Sequence, residues 1–496
     1  MNTSGAPEPA VEERKPLSAW LLGGSRSDRL WRLAFAAALV WWVWNFTHTS
    51  LRVHHGLGTS AYDYGLYDQG VWLLSRLEAP FITLMGRNLF GDHVSLILVV
   101  LVPFYWFLPG AGTLFTFQSI GLAGGAIPVY LLARRLLGSE PVAVLLGVAF
   151  LANPALGGTA MEQFHPDSAL PLLFGFAVYF AVTSRWGPYA VFVVLALLVK
   201  EDVALLVIPL GVWVAFRRDR TIGLATLAFG VGSLLFGIVV LFALSGVAFP
   251  NAWRIPFGGV TGLVAATLSR PGEVFRYLLA DGRPWYLWQL TAPFAGVFLF
   301  APEIAAVSVL VIVSNVISTF GYQHMIGFHY TAPLLPGLAL GTVWAISRIP
   351  AGRFRRGALT AVVVMSLWTG YLWGEFPFSR APGAHWPPDQ PSAVWARDLM
   401  DLVPDDAVVS AHWSITPHLA HRREIYMFPT PFYALLYGPQ DQVVALEGSR
   451  LPQADGVEYV FIPTDLDERD GEVWDREQPA FQLVASNEAW QLWRRR

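Results

Sequence analysis

The chain has 496 residues, of which 54% are hydrophobic and 14% are charged, and its formal net charge is −3. Soluble globular proteins carry about 25% charged residues, so this chain lacks the polar surface that a water-soluble fold requires. The composition predicts an integral membrane protein, and the small negative charge argues against a nucleic-acid partner. The lack of cysteine excludes disulfides, thiolate metal sites and cysteine nucleophiles.

The amino-terminal segment, residues 1–28, is polar and rich in small residues, and it lacks the apolar core and the cleavage site of a signal peptide. We interpret it as a disordered cytoplasmic tail. The first predicted span then runs from Leu30 to about His48. Basic residues at its start mark the cytoplasmic end, because positive charge in short loops is concentrated on that side of a membrane.

The next apolar stretch, from Val94 to Leu108, does not fit a span. If it crossed the membrane, the later arginine clusters around Arg134 and Arg217 would fall outside, against the distribution expected for short loops. The stretch is also short for a span, which needs about 20 residues, and it contains Pro103. We therefore expect an interfacial or re-entrant helix inside a first outer loop over residues 49–113.

Further apolar segments predict an α-helical polytopic domain over residues 29–378, with about eleven spans in all. The pair 188–200 and 203–217 fits either two spans or one long interrupted helix. The carboxyl terminus falls outside. After the first span, the predicted spans are 114–136, 141–156, 169–184, 188–200, 203–217, 222–247, 287–301, 303–320, 331–348 and 357–374.

A change of composition marks a second region, residues 379–496, which is rich in Pro, Asp, Glu, His and Arg and opens with the linker APGAHWPPDQP. Its pattern predicts a small extracytoplasmic α/β or α+β domain. The strand-like runs are Ala407–Ser410, Val457–Ile462 and Phe481–Ala485, and the helix-compatible runs are Ala393–Leu402 and Pro439–Gly448.

Ionisable loop residues gather on the side that this topology places outside the cell. Such groups are costly at or near a membrane, so they are candidates for a functional site. In four consecutive outer segments they are Asp63, Asp68, Asp92 and His93; Glu162, His165 and Asp167; Lys200, Glu201 and Asp202; and His324, His329 and Tyr330.

Each of these groups also has a purely structural explanation. Asp63 and Asp68 could be solvated loop carboxylates or helix caps, and Asp167 could cap the span that starts at residue 169. Lys200 and the two acidic residues after it could neutralise one another at a helix break. The two histidines of the fourth segment could be interfacial side chains, or they could hold a phosphate together with the adjacent tyrosine.

Five short stretches carry, in order, a resemblance to a known family: YDYGLYDQGVW with GDH, then FHP, LLVKEDVAL and PHLAHRREIYMFP. The layout resembles the GT-C superfamily of polytopic glycosyltransferases, which take a sugar from a polyprenyl-phosphate carrier on the outer face of the membrane. In more detail, the chain resembles a family of predicted prokaryotic membrane proteins of unknown function that is grouped with this superfamily. The resemblance covers nearly the whole chain.

The resemblance implies a reaction and roles for three residues. The reaction is a single displacement at the anomeric carbon, in which a carboxylate deprotonates the acceptor hydroxyl while the carrier phosphate leaves. By position, Asp63 corresponds to the acidic residue of the first outer loop in lipid-A aminoarabinose transferases and protein O-mannosyltransferases, and Asp167 to a second acidic residue. Lys200 corresponds to the lysine of a TKGP-like sequence, although KED replaces KGP here.

These correspondences imply the following assignment. Asp63 is the expected base, and Asp68 is grouped with it as a catalytic carboxylate. Lys200 and the two histidines of the fourth segment would contact the phosphate. A hard divalent cation, Mg²⁺ or Ca²⁺, would suit the carboxylates, but no ligand spacing is diagnostic of one. The remaining residues expected to bind substrate are Asp92, His93, His165, Asp167, Glu201, Asp202 and Tyr330.

Two other functions stay open. A transporter or flippase for lipid or solute would commonly place charged groups near the bilayer midplane and show two related halves, whereas here the charge gathers at one face and no internal repeat is evident. A scaffold whose outer domain binds a cell-wall polymer or a protein would need fewer spans. For a transferase, the expected partners are a polyprenyl-phosphate-linked sugar and a glycan, lipid or protein acceptor of the cell envelope.

Overall fold

The structure is a computed structural model that describes residues 25–383, 386–436 and 446–496. The predicted disordered tail lies outside these residues except for its last four positions. There the first helix begins at Arg26 with a reciprocal cap, because the Ser25 hydroxyl accepts from the Asp28 amide and the Asp28 carboxylate accepts from the Ser25 amide.

A bundle of helices forms most of the described chain. The segment between residues 248 and 282, for which the sequence predicts no element, contains two of them, Gly259–Ser269 and Pro271–Leu278. In chain order the α-helices are α1 (Arg26–His55), α2 (Leu66–Ser75), α3 (Val102–Tyr105), α4 (Ala111–Gly124), α5 (Ala126–Leu137), α6 (Glu140–Leu151), α7 (Pro154–Met161), α8 (Leu170–Val182), α9 (Trp186–Leu197), α10 (Ala204–Arg217), α11 (Arg220–Ser245), α12 (Gly259–Ser269), α13 (Pro271–Leu278), α14 (Arg283–Thr291), α15 (Val309–Ile317), α16 (Leu335–Arg348) and α17 (Arg353–Trp373).

Among the described residues, two helical segments are long and apolar enough to cross a membrane by themselves, Ala111–Leu137 and Arg220–Ser245. The pair Glu140–Leu151 and Pro154–Met161, bent by 43°, would form a third. The other predicted spans fall on shorter or more polar helices, which cross a bilayer only where neighbouring protein covers their polar ends. The predicted total of about eleven spans therefore stays a prediction.

The stretch predicted not to span forms a 3₁₀ helix, Leu96–Leu101, followed by the four-residue helix α3. Ten residues in these two short helices are too few to cross the hydrocarbon core, which is about 30 Å thick. The chain is non-helical after residue 197 and forms a 3₁₀ turn, Glu201–Val203, before α10 begins. Helix α9 packs against α8, whereas α10 packs against α11.

The carboxyl-terminal region contains a mixed five-stranded sheet with two helices, α18 (Pro391–Met400) and α19 (Glu468–Glu477). The three predicted strands correspond to β3, β5 and β6, whereas β4, β7 and α19 were not predicted. The predicted helix Pro439–Gly448 lies largely outside the described residues. The strands, in the spatial order β4-β3-β5-β7-β6 with β3 parallel to β4 and β5 and the other pairs antiparallel, are β3 (Val409–Ala411), β4 (Ile425–Met427), β5 (Tyr459–Pro463), β6 (Phe481–Ser486) and β7 (Trp490–Arg495).

The first loop, residues 56–110, shares one hydrophobic core with this sheet. It also contains a two-stranded hairpin, β1 (Phe81–Ile82) with β2 (Arg87–Asn88). Polar contacts join the two regions as well: the Gln69 amide donates to the carbonyl of Arg422 at 3.2 Å, and the Thr83 hydroxyl donates to the carbonyl of Ile425 at 2.6 Å. The sheet region therefore holds the first loop in place, and this loop contributes Asp63 to the candidate site.

Candidate functional site

Asp63 lies in a single turn of π-helix, Ala61–Gly65, at the start of the first loop. The side-chain oxygen of Gln163 accepts hydrogen bonds from the amides of Ser60, at 2.8 Å, and of Tyr64, at 3.3 Å, so it ties this turn to the loop that precedes α8. Short π-helical turns occur frequently at functional sites. The Asp63 carboxylate is 46% exposed and is therefore open to a ligand.

His165 connects Asp63 to a second histidine. Its Nε2 lies 3.6 Å from Oδ1 of Asp63, and its ring stacks on that of His329 with the centroids 3.7 Å apart. The backbone amide of His165 donates to the side-chain oxygen of Gln118 at 3.0 Å, which fixes the position of this turn. Only the Asp63 end of this stack faces solvent, since both histidines are buried.

Glu162 holds His329 from the other side. The amide and the Nδ1 of His329 both contact the Glu162 carboxylate, the second at 3.0 Å. Burial and the nearby charge of Asp63 raise the pKa of Glu162. Burial, together with His165, lowers the pKa of His329 and favours its neutral form.

Lys200 has an extended backbone conformation and lies between α9 and the 3₁₀ turn Glu201–Val203. The side chain is buried, and Nζ lies 3.9 Å from Asp167 and 3.8 Å from Asp202. It also lies 5.9 Å from the centre of the Tyr330 ring. These carboxylate distances are ion-pair distances rather than hydrogen-bond distances, so the ammonium protons remain available to an anion.

The contacts described so far join into one group, which we call the central cluster. It is continuous because His329 and Tyr330 are adjacent, with His165 stacked on the first and Lys200 over the ring of the second. A cavity of about 40 Å³ lies beside it, lined by Asp167, Asp202 and Tyr330, by other polar side chains such as Asn315 and Gln323, and by apolar side chains. The members of the central cluster are Asp63, Glu162, His165, Asp167, Lys200, Asp202, His329 and Tyr330.

Glu201 attaches the first loop to the Lys200 turn. Its carboxylate contacts Nδ1 of His93 and accepts from the amide of Val94, both at 2.9 Å. Although burial opposes the charge, His93 and Lys200 lower the pKa of Glu201 to about 2. Asp92 lies in the same part of the loop and forms an ion pair with Arg87 at 2.8 Å. These predicted substrate-binding residues are therefore engaged in holding the loop in place.

Asp68, predicted as a catalytic partner of Asp63, contacts a different set of residues. It is buried and accepts hydrogen bonds from the hydroxyls of Tyr105, at 2.7 Å, and Tyr64, at 3.2 Å. Nε2 of His421, from the carboxyl-terminal region, lies 3.0 Å from the same carboxylate. A pocket of about 300 Å³ opens beside this group, and His418 also lines it.

His324, predicted to contact a phosphate, belongs to the 3₁₀ turn Gly321–His324. Burial and the charge of Arg283 lower its pKa. Within the described residues, no hydrogen bond or ring contact joins it to Lys200 or His329. The structure thus brings His329, but not His324, to the central cluster.

Two residues of this neighbourhood had no predicted role. Glu162 was recognised as an outer acidic residue three positions before His165, and that spacing was the available signal. Arg254 lies in the segment without predicted elements, and its guanidinium donates to the hydroxyl of Tyr330 at 3.3 Å. A tryptophan–arginine pair in an otherwise apolar loop was the only sign of it in the sequence.

Glu162, His165 and His329 each offer a ligand atom, and these atoms lie within 4.8 Å of one another. Two imidazoles and one carboxylate suit zinc or another transition metal, rather than the Mg²⁺ or Ca²⁺ considered from the carboxylates. In the observed arrangement the two rings are stacked with an angle of 17° between their planes. Their in-plane lone pairs therefore do not meet at one point, and a metal would require one ring to rotate.

The fold is similar to that of ArnT from Cupriavidus metallidurans. The crystal structure of ArnT bound to undecaprenyl phosphate matches with a TM-score of 0.55 and 15% identity, over 96% of this chain and 98% of ArnT. Its apo crystal structure matches with a TM-score of 0.54 and 15% identity, over 94% and 98%. At this identity the similarity shows a shared fold alone.

No curated protein matches the sequence. The profile of a family described as predicted membrane proteins, DUF2079, matches residues 53–493. That range covers most of the chain and confirms the resemblance drawn from the motifs. The chain belongs to the DUF2079 family of predicted membrane proteins.

Proposed function

We propose that this protein transfers a sugar from a polyprenyl-phosphate carrier to a hydroxyl-bearing acceptor of the cell envelope, on the outer face of the membrane. One observation carries the proposal: an exposed carboxylate, Asp63, and a buried ammonium, Lys200, belong to the same central cluster. Its similarity in fold to a protein crystallised with undecaprenyl phosphate supports a lipid phosphate as the group that meets the ammonium.

Asp63 would accept the proton of the acceptor hydroxyl. The acceptor oxygen then bonds to the anomeric carbon as the bond from that carbon to the carrier phosphate breaks, and the phosphate leaves with the electron pair. Among the carboxylates of the central cluster, Glu162 and Asp167 are largely buried, whereas Asp63 and Asp202 are about half exposed. Asp202 forms an ion pair with Lys200, which leaves Asp63 as the exposed carboxylate that does not contact the ammonium. His165 would act as a positioning residue for Asp63, because its ring is held by the stack with His329.

Lys200 would stabilise the charge that develops on the departing phosphate. A point charge in a buried site acts strongly on a developing negative charge, because little water screens it. Tyr330 would border the same phosphate, since its ring lies under the ammonium and its hydroxyl accepts from Arg254. Glu201 would keep the turn in position through its two contacts with the first loop.

The proposal is tested by measuring carrier release. Purified protein in proteoliposomes would be given a panel of undecaprenyl-phosphate-linked hexoses and pentoses together with cell-envelope extract, and free undecaprenyl phosphate would be quantified by mass spectrometry. We expect release from at least one donor. Asp63→Asn should lower the rate about 100-fold or more, the usual contribution of a general base.

The matched control is Asp475→Asn, which removes an exposed carboxylate from α19 without an ion pair and should leave the rate unchanged. A wild-type protein that binds undecaprenyl phosphate but releases none from any donor would contradict the proposal and favour transport. Release that persists at the wild-type rate in Asp63→Asn would remove Asp63 from the role of base.

A further inference from the structure

A large cavity lies at the other end of the helical bundle, between α16, α17 and the 3₁₀ turn Val297–Phe300. Its volume is about 770 Å³, and its lining is mostly apolar. The two charged residues of the lining are both arginines, Arg348 and Arg353. An apolar cavity with only cationic side chains is suited to a ligand that is apolar along its length and anionic at one end.

This cavity is remote from the central cluster. Helix α16 begins six residues after His329 and ends at Arg348. Its 14 residues correspond to a length of about 21 Å. The cavity is thus separated from the candidate active site by the length of a helix, and it lies at the end where the arginine clusters predict the cytoplasmic surface.

The arginines here form no ion pair within the described residues, and the Glu303 carboxylate interacts with Arg348 only at longer range. The guanidinium groups of Arg348 and Arg218 both approach the Trp344 ring, at 4.2 and 5.6 Å from its centre. In residues 25–383, 386–436 and 446–496, no carboxylate lies within 4.0 Å of either of them or of Arg353. The acidic group nearby, Glu303, accepts instead from the indole nitrogen of Trp344 at 2.9 Å.

Helix α17 begins at the edge of this cavity, because its first residue, Arg353, belongs to the cavity lining. Helix α17 starts at Arg353 after Gly352, whose φ of 142° favours glycine, and no side chain caps its first turn. The amides of that turn lack intrahelical acceptors and favour an anion. Arg355 folds back to donate to the carbonyls of Ile349, at 2.7 Å, and Ser347, at 3.4 Å, which holds the connection between the two helices in shape.

We infer that this cavity binds an anionic phospholipid. The phosphate lies between Arg348 and Arg353 at the amino terminus of α17, and an acyl chain fills the apolar part. Basic pockets between membrane helices bind anionic head groups, and each arginine strengthens this attraction. The inference is independent of the proposed transfer reaction, because no residue of the central cluster takes part.

Native mass spectrometry of the full-length protein tests whether the cavity binds an anionic phospholipid. The protein in detergent would receive equal amounts of phosphatidylglycerol and phosphatidylcholine with identical acyl chains. We expect retained phosphatidylglycerol, and a loss of about tenfold or more in the double variant Arg348→Gln, Arg353→Gln, which keeps part of each apolar stem. Arg135→Gln, which removes an exposed arginine that forms no ion pair with the described residues, is the matched control and should retain the lipid.

A second variant tests the apolar part without changing charge. A Cβ added at Gly357, in the cavity lining, meets no atom within 4 Å, so Gly357→Leu should fold and should displace the acyl chain. Equal retention of both lipids, or unchanged retention in the double arginine variant, would overturn the inference. Displacement of the lipid by millimolar inorganic phosphate would also contradict it, because the site would then recognise a free anion.

Discussion

The carboxylate of Asp68 lies 3.0 Å from Nε2 of His421, although the two residues are 353 positions apart in the chain. The contact joins helix α2 of the first loop to the carboxyl-terminal region. Hydroxyls of Tyr64 and Tyr105 also donate hydrogen bonds to this carboxylate. A buried charge with three donors is well compensated, so this contact is suited to holding the loop in place.

Asp68→Asn should therefore destabilise the protein. Removing one partner of a fully buried ion pair costs about 3–5 kcal/mol, and we expect roughly 2 kcal/mol here because the His421 side chain is one-third exposed. The measurement is the thermal unfolding midpoint in detergent, compared with Asp475→Asn. An unchanged midpoint together with a lost transfer rate would instead make Asp68 a catalytic residue, as the sequence suggested.

The pair of Asp68 and His421 also predicts that the stability of the protein depends on pH. Burial opposes the charge of His421, but Asp68 raises its pKa above the usual value of about 6.5. The pair therefore contributes its full stabilisation below about pH 6.5 and loses it as the pH rises through the folded-state pKa. Thermal midpoints measured from pH 6 to pH 9 should fall more steeply for wild type than for His421→Gln. Parallel curves would contradict this.

The position of Lys200 depends on a close approach between Glu201 and α11. A Cβ added at Gly237 would lie 2.5 Å from Cβ of Glu201, a distance at which something must shift. Gly237→Ala should cost about 1–3 kcal/mol through overpacking and should weaken carrier binding. Gly232→Ala, in the same helix but with no atom within 4 Å of the added Cβ, should do neither. Equal effects of the two substitutions would contradict the role of this contact.

Chelation tests whether the group Glu162, His165 and His329 holds a metal that the reaction needs. Because the two rings are stacked and Lys200 supplies the positive charge, we expect the transfer rate to survive dialysis against EDTA and 1,10-phenanthroline. Metal content would be measured on the same samples. A rate that is lost on chelation and restored by Zn²⁺ would show that one ring rotates to bind a metal.

Part of the site could be read from the sequence because its residues are close together in the chain. Lys200, Glu201 and Asp202 break an apolar run between α9 and α10, and the structure places Lys200 beside Asp202 there. The prediction that residues 94–108 do not span the membrane also came from length, proline and charge. These inferences depend on local composition alone, which a sequence displays directly.

The remaining contacts depend on the three-dimensional fold. The partner of Asp68 is His421, from a PHLAH stretch that had no predicted role, and the partner of His329 is Glu162. Strand β4 has three residues, too few to show an alternating pattern. Pairings across more than 100 positions leave no periodic signal, so they became visible only in the structure.

The central claim is that the phosphate of a polyprenyl carrier lies beside Lys200. The most direct measurement is a cryo-electron microscopy map of the protein in lipid nanodiscs with added undecaprenyl phosphate, paired with the affinity of wild type and Lys200→Met for the same lipid. We predict phosphate density within about 4 Å of the Lys200 ammonium, the range of an ion pair, and an affinity at least about tenfold weaker in the variant. Phosphate density elsewhere, or equal affinity in the two proteins, would contradict the account.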